Sequence, residues 1–382
     1  MLTETQNTTE INIINYMRKL LLFTVVWWLI PTSTNAQTVD TLINVSGGHQ
    51  LHFKIIKGKF SPILFESGFG NGGDVWDNIT KHIADATGAT IITYDRLSNV
   101  NSKQQYEIGI ENETIALEEA LQKLGYLNKK IMLVAHSLGG MYSSYYSSRH
   151  TNDVKAAVFI DDADICSLRS HFDIVKLTKK DTIENYLASV LNTVEKSQMP
   201  KNIPLIDVVA DTHYDDNGNP DTVWLSCHKR FVEQSTNRKF LLAYNVGHYV
   251  FAENAPIVIN TIISQYANYL EPKQKLVILE KGLLFSSKMF NENKKNEVKC
   301  GQSENDLITW GYSQLEKNEI EKAIEIFKLN VLLNPNGWNN YDSLGEAYFK
   351  AGNKELATKN YKKSLELNPK NDSAIKFLEE NK

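Results

Sequence analysis

Apolar residues along the chain fall into short runs separated by stretches with helical spacing. Residues 41–45 and 49–57 alternate partly between apolar and polar positions around Gly47-Gly48, which predicts two strands joined by a turn. Six short apolar runs follow, at 62–66, 89–94, 130–135, 155–160, 203–210 and 239–243. Near-continuous apolar runs of this length suit strands covered on both faces. Between them, residues 115–125, 139–149 and 255–270 carry apolar side chains at helical spacing. This alternation predicts an α/β fold, a mostly parallel central sheet with helices on both faces. Residues 163–201 are too many for a plain crossover. The amphipathic stretch 182–194 inside them predicts a small helical cap over the sheet edge.

The C-terminal part repeats itself. Gly311 and Gly345 lie 34 residues apart, as do Ala323 and Ala357, Phe327 and Tyr361, and Pro335 and Pro369. Small residues where helices must approach and aromatic residues where they pack recur in one register, which resembles the tetratricopeptide (TPR) family. The two units cover 304–336 and 337–370, with a capping helix expected at 373–380. Residues 273–303 are mixed and charged and read as a linker plus a helix, so the expected domains are an α/β region at 37–272 and an all-α TPR region at 304–382. The TPR resemblance implies a protein partner or self-association.

The N-terminus carries a different pattern. Met17-Arg18-Lys19 precedes the apolar run LLLFTVVWWLI at 20–30, and Thr34 and Ala36 are small residues ahead of Gln37. A positive start, a short apolar run and small residues at the cleavage point describe a secretory signal peptide. Residues 1–36 thus read as an upstream extension plus a signal, with Met17 a candidate start and the periplasm or cell exterior as destination. Left uncleaved, the run would instead anchor the chain to a membrane.

Composition narrows the function classes. Hydrophobic residues make up 42% and charged residues 23%, enough for large folded cores. The net charge of -4 comes without a basic stripe, so no nucleic-acid partner is expected. Cys166, Cys227 and Cys300 are widely spaced and form no metal-binding pattern. Free thiols are the favoured reading, with one disulfide open in an oxidising compartment. There is no HExxH, and the loop 211–221 lacks the glutamate of a calcium loop, so neither metal nor cofactor is expected.

The chemistry centres on VAHSLGG, residues 134–140. A strand, a sharp turn bearing Ser137 and a helix start follow one another, with small residues where the turn and helix crowd the sheet. Ala135 stands where the usual G-x-S-x-G pattern has its first glycine. The chain here resembles the α/β-hydrolase superfamily across residues 40–272. The segment PILFESGFGNGGDVW at 62–76 resembles the family's first glycine-rich loop, and NVGHYVFAENAP at 245–256 its Gly-His loop. The resemblance implies that Ser137 is the nucleophile and His248 the base, with backbone N–H groups of Phe69 and Leu138 as oxyanion donors. ITYDRLSNVNS at 92–102 resembles a further motif, YDR-x-G-x-G-x-S, with Ser98 and Val100 in place of its glycines. Asp95 and Arg96 read as a structural charged pair.

The acid is left between two residues. Asp161 follows the run 155–160 and Asp211 follows 203–210, and Asp162, Asp215 and Asp216 lie close by. Asp161 is preferred because one branch of the superfamily places its acid there. His136 is expected at the pocket edge, and His213 and His228 in solvated loops. The activity implied is hydrolysis of a carboxylic ester or thioester through an acyl-enzyme, with a small or lipid-like acyl substrate. Amide or peptide cleavage is the second reading. A degenerate hydrolase domain attached to a TPR binding module is the third. A serine at the elbow argues against haloalkane dehalogenation, which needs a carboxylate nucleophile.

Overall fold

The computed structural model describes residues 37–97, 109–174, 182–211, 213, 221–243, 246–268, 270, 274–275, 277–279, 281–282, 304–316 and 318–381. The signal-like segment 1–36, the positions Ser98, Val100 and Ser102, the residues Asp215 and Asp216, and most of the linker 283–303 lie outside the described residues.

Among the described residues, eight strands build one sheet: β1 (Thr38–Val45), β2 (His49–Ile56), β3 (Phe60–Glu66), β4 (Ala89–Asp95), β5 (Ile131–His136), β6 (Val154–Ile160), β7 (Leu205–Ala210) and β8 (Arg238–Ala243). Their order is β1-β2-β4-β3-β5-β6-β7-β8. The β1–β2 and β2–β4 pairs are antiparallel, and every later pair is parallel. β5 is buried at every position, as the run IMLVAH requires of a central strand, whereas β1 alternates at the edge.

The helices of this part are α1 (Asp77–Thr87), α2 (Gly109–Lys123), α3 (Gly139–Arg149), α4 (Ile165–Ile174), α5 (Thr182–Lys196), α6 (Thr222–Glu233), α7 (Val250–Glu253) and α8 (Ala255–Ala267). Two apolar clusters lie on the two faces of the sheet. One joins Ile63, Phe65 and Val134 to Ile79 and Ile83 of α1 and Ile259 and Ile262 of α8. The other joins Leu64, Leu133 and Phe159 to Leu117 and Leu121 of α2. A third packs Val190, Leu191 and Val194 of α5 on Leu138, Met141 and Tyr145 around α3. That contact seats the cap segment on the helix that follows Ser137.

Among the described residues, five further helices follow: α9 (Glu304–Glu316), α10 (Ile320–Leu333), α11 (Trp338–Lys350), α12 (Lys354–Leu367) and α13 (Asp372–Glu380). The repeat register has a direct steric basis. A Cβ on Gly311 would come within 2.3 Å of the Phe327 ring, and one on Gly345 within 3.1 Å of Tyr361. The same glycine–aromatic contact thus recurs 34 residues on. The mostly parallel sheet followed by an all-α region is the architecture the hydrophobic pattern predicts.

Several local expectations need correction. α1 and α6 lie outside the stretches read as helical, although α1 carries Ile79 and Ile83 one turn apart on its buried face, while α4 falls within the helical cap expected at 163–201. Ile278 and Leu279, in the segment read as a linker plus a helix, are buried in the same cluster as α8. Cys166 and Cys227 are not free thiols. They form a disulfide with Cα atoms 5.5 Å apart, because α4 packs against α6 and brings together positions 61 residues apart. Among the described residues no helix is long and apolar enough to cross a membrane.

Candidate active site

Ser137 stands at the C-terminal end of β5 with φ of 52°. A non-glycine residue pays strain in this left-handed region, as expected at a sharp strand-to-helix turn. The turn fits only because its neighbours are small. A Cβ on Gly139 would lie 2.4 Å from the Glu66 carbonyl oxygen. Ala135 is fully buried in β5, paired with Glu66 and Phe159, and the elbow forms with it in place. Leu138 begins the first turn of α3.

The loop after β3 lies against the elbow. A Cβ on Gly68 would touch His136 Nδ1 at 2.9 Å and Ser137 Cβ at 3.1 Å. Arg96 fixes this loop, donating from Nη1 to the Ser67 carbonyl at 2.6 Å and from Nη2 to the Gly68 carbonyl at 2.7 Å. In a trans peptide the carbonyl and the next N–H point in opposite directions. Holding the Gly68 carbonyl therefore also fixes the aim of the Phe69 N–H. The expected Asp95–Arg96 pair does not form. Arg96 Nη1 bonds Glu66 at 2.6 Å, with both side chains buried, while Asp95 accepts from the Gly73 N–H at 2.7 Å and binds His52 at 2.9 Å.

Asp161 follows β6 with φ of 45°, and its N–H donates to the Val208 carbonyl at 2.7 Å. Its side chain is fully buried and carries four hydrogen bonds. Oδ1 accepts from the Ala210 N–H at 2.9 Å and from Trp224 Nε1 at 3.1 Å. Oδ2 accepts from His248 Nδ1 at 2.7 Å and also from His213 Nε2. Burial acts to raise this carboxyl, but the bonds from His213 and His248 outweigh it and hold it well below the usual range. His248 lies in the loop before α7, its side chain one-third exposed. Asp211 directs its N–H to the Ala243 carbonyl at 2.9 Å and so extends the β7–β8 ladder.

Neither loop histidine is solvated as expected. His213 stacks on Trp224 with ring centres 4.4 Å apart and donates to Asp161. His228 lies on α6, fully buried, with Nδ1 2.8 Å from Asp207 and 3.5 Å from Asp162. Burial pulls its pKa down, yet Asp207 and then Asp162 and Asp164 outweigh that and hold it up to about 10. Asp162 therefore faces away from His248, into this second cluster. His136 is buried beside the elbow and donates from Nε2 to the His248 carbonyl at 3.0 Å. Burial, then the neighbouring His248, push its pKa down to about 3, so it is neutral. A cavity of about 250 Å³ opens behind α3 between Met141, Ala163, Val194 and Arg230, and none of Ser137, His248, Asp161, Phe69 or Leu138 lines it.

A family model described as the α/β hydrolase fold matches residues 61–198, and a tetratricopeptide repeat model matches residues 338–371. An uncharacterized protein of Bacillus subtilis (strain 168), YqjL, is 22% identical over 206 residues, covering 51% of this chain and 79% of that protein. Among solved structures, the haloalkane dehalogenase DatA from Agrobacterium tumefaciens C58 is 13% identical with a TM-score of 0.45, covering 62% of this chain and 98% of its own. A bromoperoxidase from Bacillus anthracis is 17% identical with a TM-score of 0.42, covering 59% and 99%. The chain thus carries an α/β-hydrolase fold domain followed by a C-terminal tetratricopeptide repeat domain.

Proposed function

We propose that this chain is an exported serine hydrolase that cleaves a carboxylic ester or thioester through an acyl-enzyme on Ser137. The observation that carries this reading is the fully buried Asp161 carboxylate on His248 Nδ1 at 2.7 Å, with the His248 ring 4.5 Å from that of His136, which directly precedes a serine held at φ of 52°. With Nδ1–H given to Asp161, His248 keeps a bare Nε2 to accept the Ser137 proton as the hydroxyl attacks the acyl carbon. The N–H groups of Phe69 and Leu138 receive the oxyanion, and the start of α3 adds the favourable end of a helix dipole. His248 then protonates the leaving alcohol or thiol, and water activated on the same nitrogen releases the acid.

The aromatic surroundings favour an apolar acyl group. Phe69 and Tyr249 are part-exposed, and the Phe69 ring lies 6.2 Å from that of Tyr186 on the cap helix α5. Export is supported by the signal-like N-terminus and by the Cys166–Cys227 bond, which persists in oxidising compartments. The TPR helices are proposed to bind a protein partner or a second copy of the chain.

Labelling with a fluorophosphonate probe tests the mechanism, alongside turnover of p-nitrophenyl esters of graded chain length. Labelling at Ser137 that is lost with hydrolysis in Ser137→Ala supports it. Unchanged hydrolysis in that variant removes Ser137 from the mechanism.

A further inference from the structure

Asp161 is unusual in serving two histidines through one oxygen. His248 Nδ1 and His213 Nε2 both approach Oδ2, and the three atoms lie within 4.8 Å of one another. The imidazole rings are 5.6 Å apart and nearly perpendicular, at 80°, so their in-plane nitrogen positions converge instead of stacking. Asp161 is also held from behind. The Ala210 N–H and Trp224 Nε1 occupy Oδ1, leaving Oδ2 turned toward the two histidines. Two imidazole nitrogens and one carboxylate oxygen, with outer hydrogen bonds fixing the carboxylate, form a three-ligand zinc set whose fourth position is left to water.

We propose that Asp161, His213 and His248 form a Zn²⁺ site that reversibly switches the hydrolase off. Zinc inhibition rests on the hydrolase chemistry proposed above, while zinc binding does not. On binding, Asp161 Oδ2, His213 Nε2 and His248 Nδ1 each donate a lone pair to the ion. Each neutral imidazole keeps its proton by moving it to its other ring nitrogen, so no net proton is released. For His248 that nitrogen is Nε2. A protonated Nε2 cannot accept the Ser137 hydroxyl proton, and the bond from His248 to Asp161 is replaced by the metal. The ion thus imposes the wrong tautomer without touching the serine.

A second cluster, Asp162, Asp207 and His228, also brings three ligand atoms together, but His228 there is held charged by the carboxylates around it. It serves as the internal control. The experiment is calorimetric titration of the tag-free full chain with ZnCl₂, with Co²⁺ absorption spectra reporting the ligand set. One equivalent of Zn²⁺ is expected to bind, with a four-coordinate Co²⁺ spectrum. Removing an outer hydrogen bond weakens metal sites about 10–100-fold, so Trp224→Phe should fall in that range and His213→Gln, which loses a ligand, at or beyond its upper end. His228→Gln should bind as the wild type does. In ester hydrolysis, each variant normalised to its own zinc-free rate, the inhibition constant should follow the binding constant, and EDTA should reverse it. No zinc binding by the wild type overturns the site, as does binding lost in His228→Gln but kept in His213→Gln and Trp224→Phe. Zinc bound through His213 in a chain that hydrolyses no ester would keep the metal site and remove the hydrolase reading.

Discussion

Asp161→Asn isolates the tautomer on which the proposed mechanism depends. Asp161 accepts four hydrogen bonds, two on each oxygen. An asparagine has one acceptor oxygen and one NH₂ group. The Ala210 N–H and Trp224 Nε1 are fixed donors, so the amide oxygen must turn to them and the NH₂ toward the histidines. His248 Nδ1 then has to accept, which places its proton on Nε2, facing the nucleophile. Loss of the correct tautomer in a serine protease costs about 10⁴-fold in kcat. The same is expected here, equal to roughly 5.4 kcal/mol of transition-state stabilisation. KM should change little, since no substrate contact is lost. The fold should survive with a cost of about 1–3 kcal/mol for mispaired buried groups. Steady-state ester kinetics with thermal melts on Asp161→Asn and Asp211→Asn make the measurement. A kcat loss under tenfold in Asp161→Asn, or a larger loss in Asp211→Asn, would refute the assignment.

Three further outcomes follow from buried contacts. Arg96→Met strands the buried Glu66 carboxylate and frees the Gly68 carbonyl, so a loss of about 3–5 kcal/mol in urea unfolding is expected, partly recovered by adding Glu66→Gln; no recovery would mean the ion pair is not the cause. The Cys166–Cys227 bond closes a 61-residue separation, and the double Cys→Ala variant should lose up to about 4 kcal/mol by chain entropy. Mass spectrometry of the exported protein should find that bond in a chain beginning at Gln37, and a reduced, full-length chain would count against export. His136 has a folded pKa of about 3 against about 6.5 unfolded, so its stabilisation is complete above pH 6.5 and is lost as pH falls toward 3. The loss is on the order of 5 kcal/mol, and the stability gap between wild type and His136→Gln should shrink or invert across that window; parallel acid-unfolding curves would contradict it.

Local features of the sequence were the legible ones. Parallel strands buried on both faces must be apolar throughout, and the runs at 130–135 and 155–160 coincide within a residue with β5 and β6. The repeat register was readable because the Gly311–Phe327 contact recurs at Gly345–Tyr361, closing the first glycine site to a larger residue and leaving the second tight. The serine elbow and the Gly-His loop each lie within a dozen residues. Helices α1 and α6 lie outside the segments read as helical, although Ile79 and Ile83 stand one turn apart on the buried face of α1; most of the stability of such helices comes from packing against the rest of the fold.

What the sequence hid was pairing across the fold, although each hidden pair left a trace. Asp207 interrupts the apolar run LIDVVA, and Glu66 closes PILFE. A carboxylate in a fully covered strand needs a compensating partner, because an isolated buried charge is far too costly. Asp207 therefore called for a cation from another element, and His228 on α6 is that cation. Glu66 called for another, and Arg96 at the end of the neighbouring strand supplies it. Assigning those two pairs first changes the choice of acid. His228 draws Asp162 as well as Asp207, so the second aspartate of the Asp161-Asp162 pair is committed to the buried cluster. The chain turns at Asp161, at φ of 45°, and its carboxylate meets His248 while that of Asp162 approaches His228. The adjacent aspartates thus divide between two histidines, one holding α6 to the sheet and the other lying against His136, the residue before Ser137.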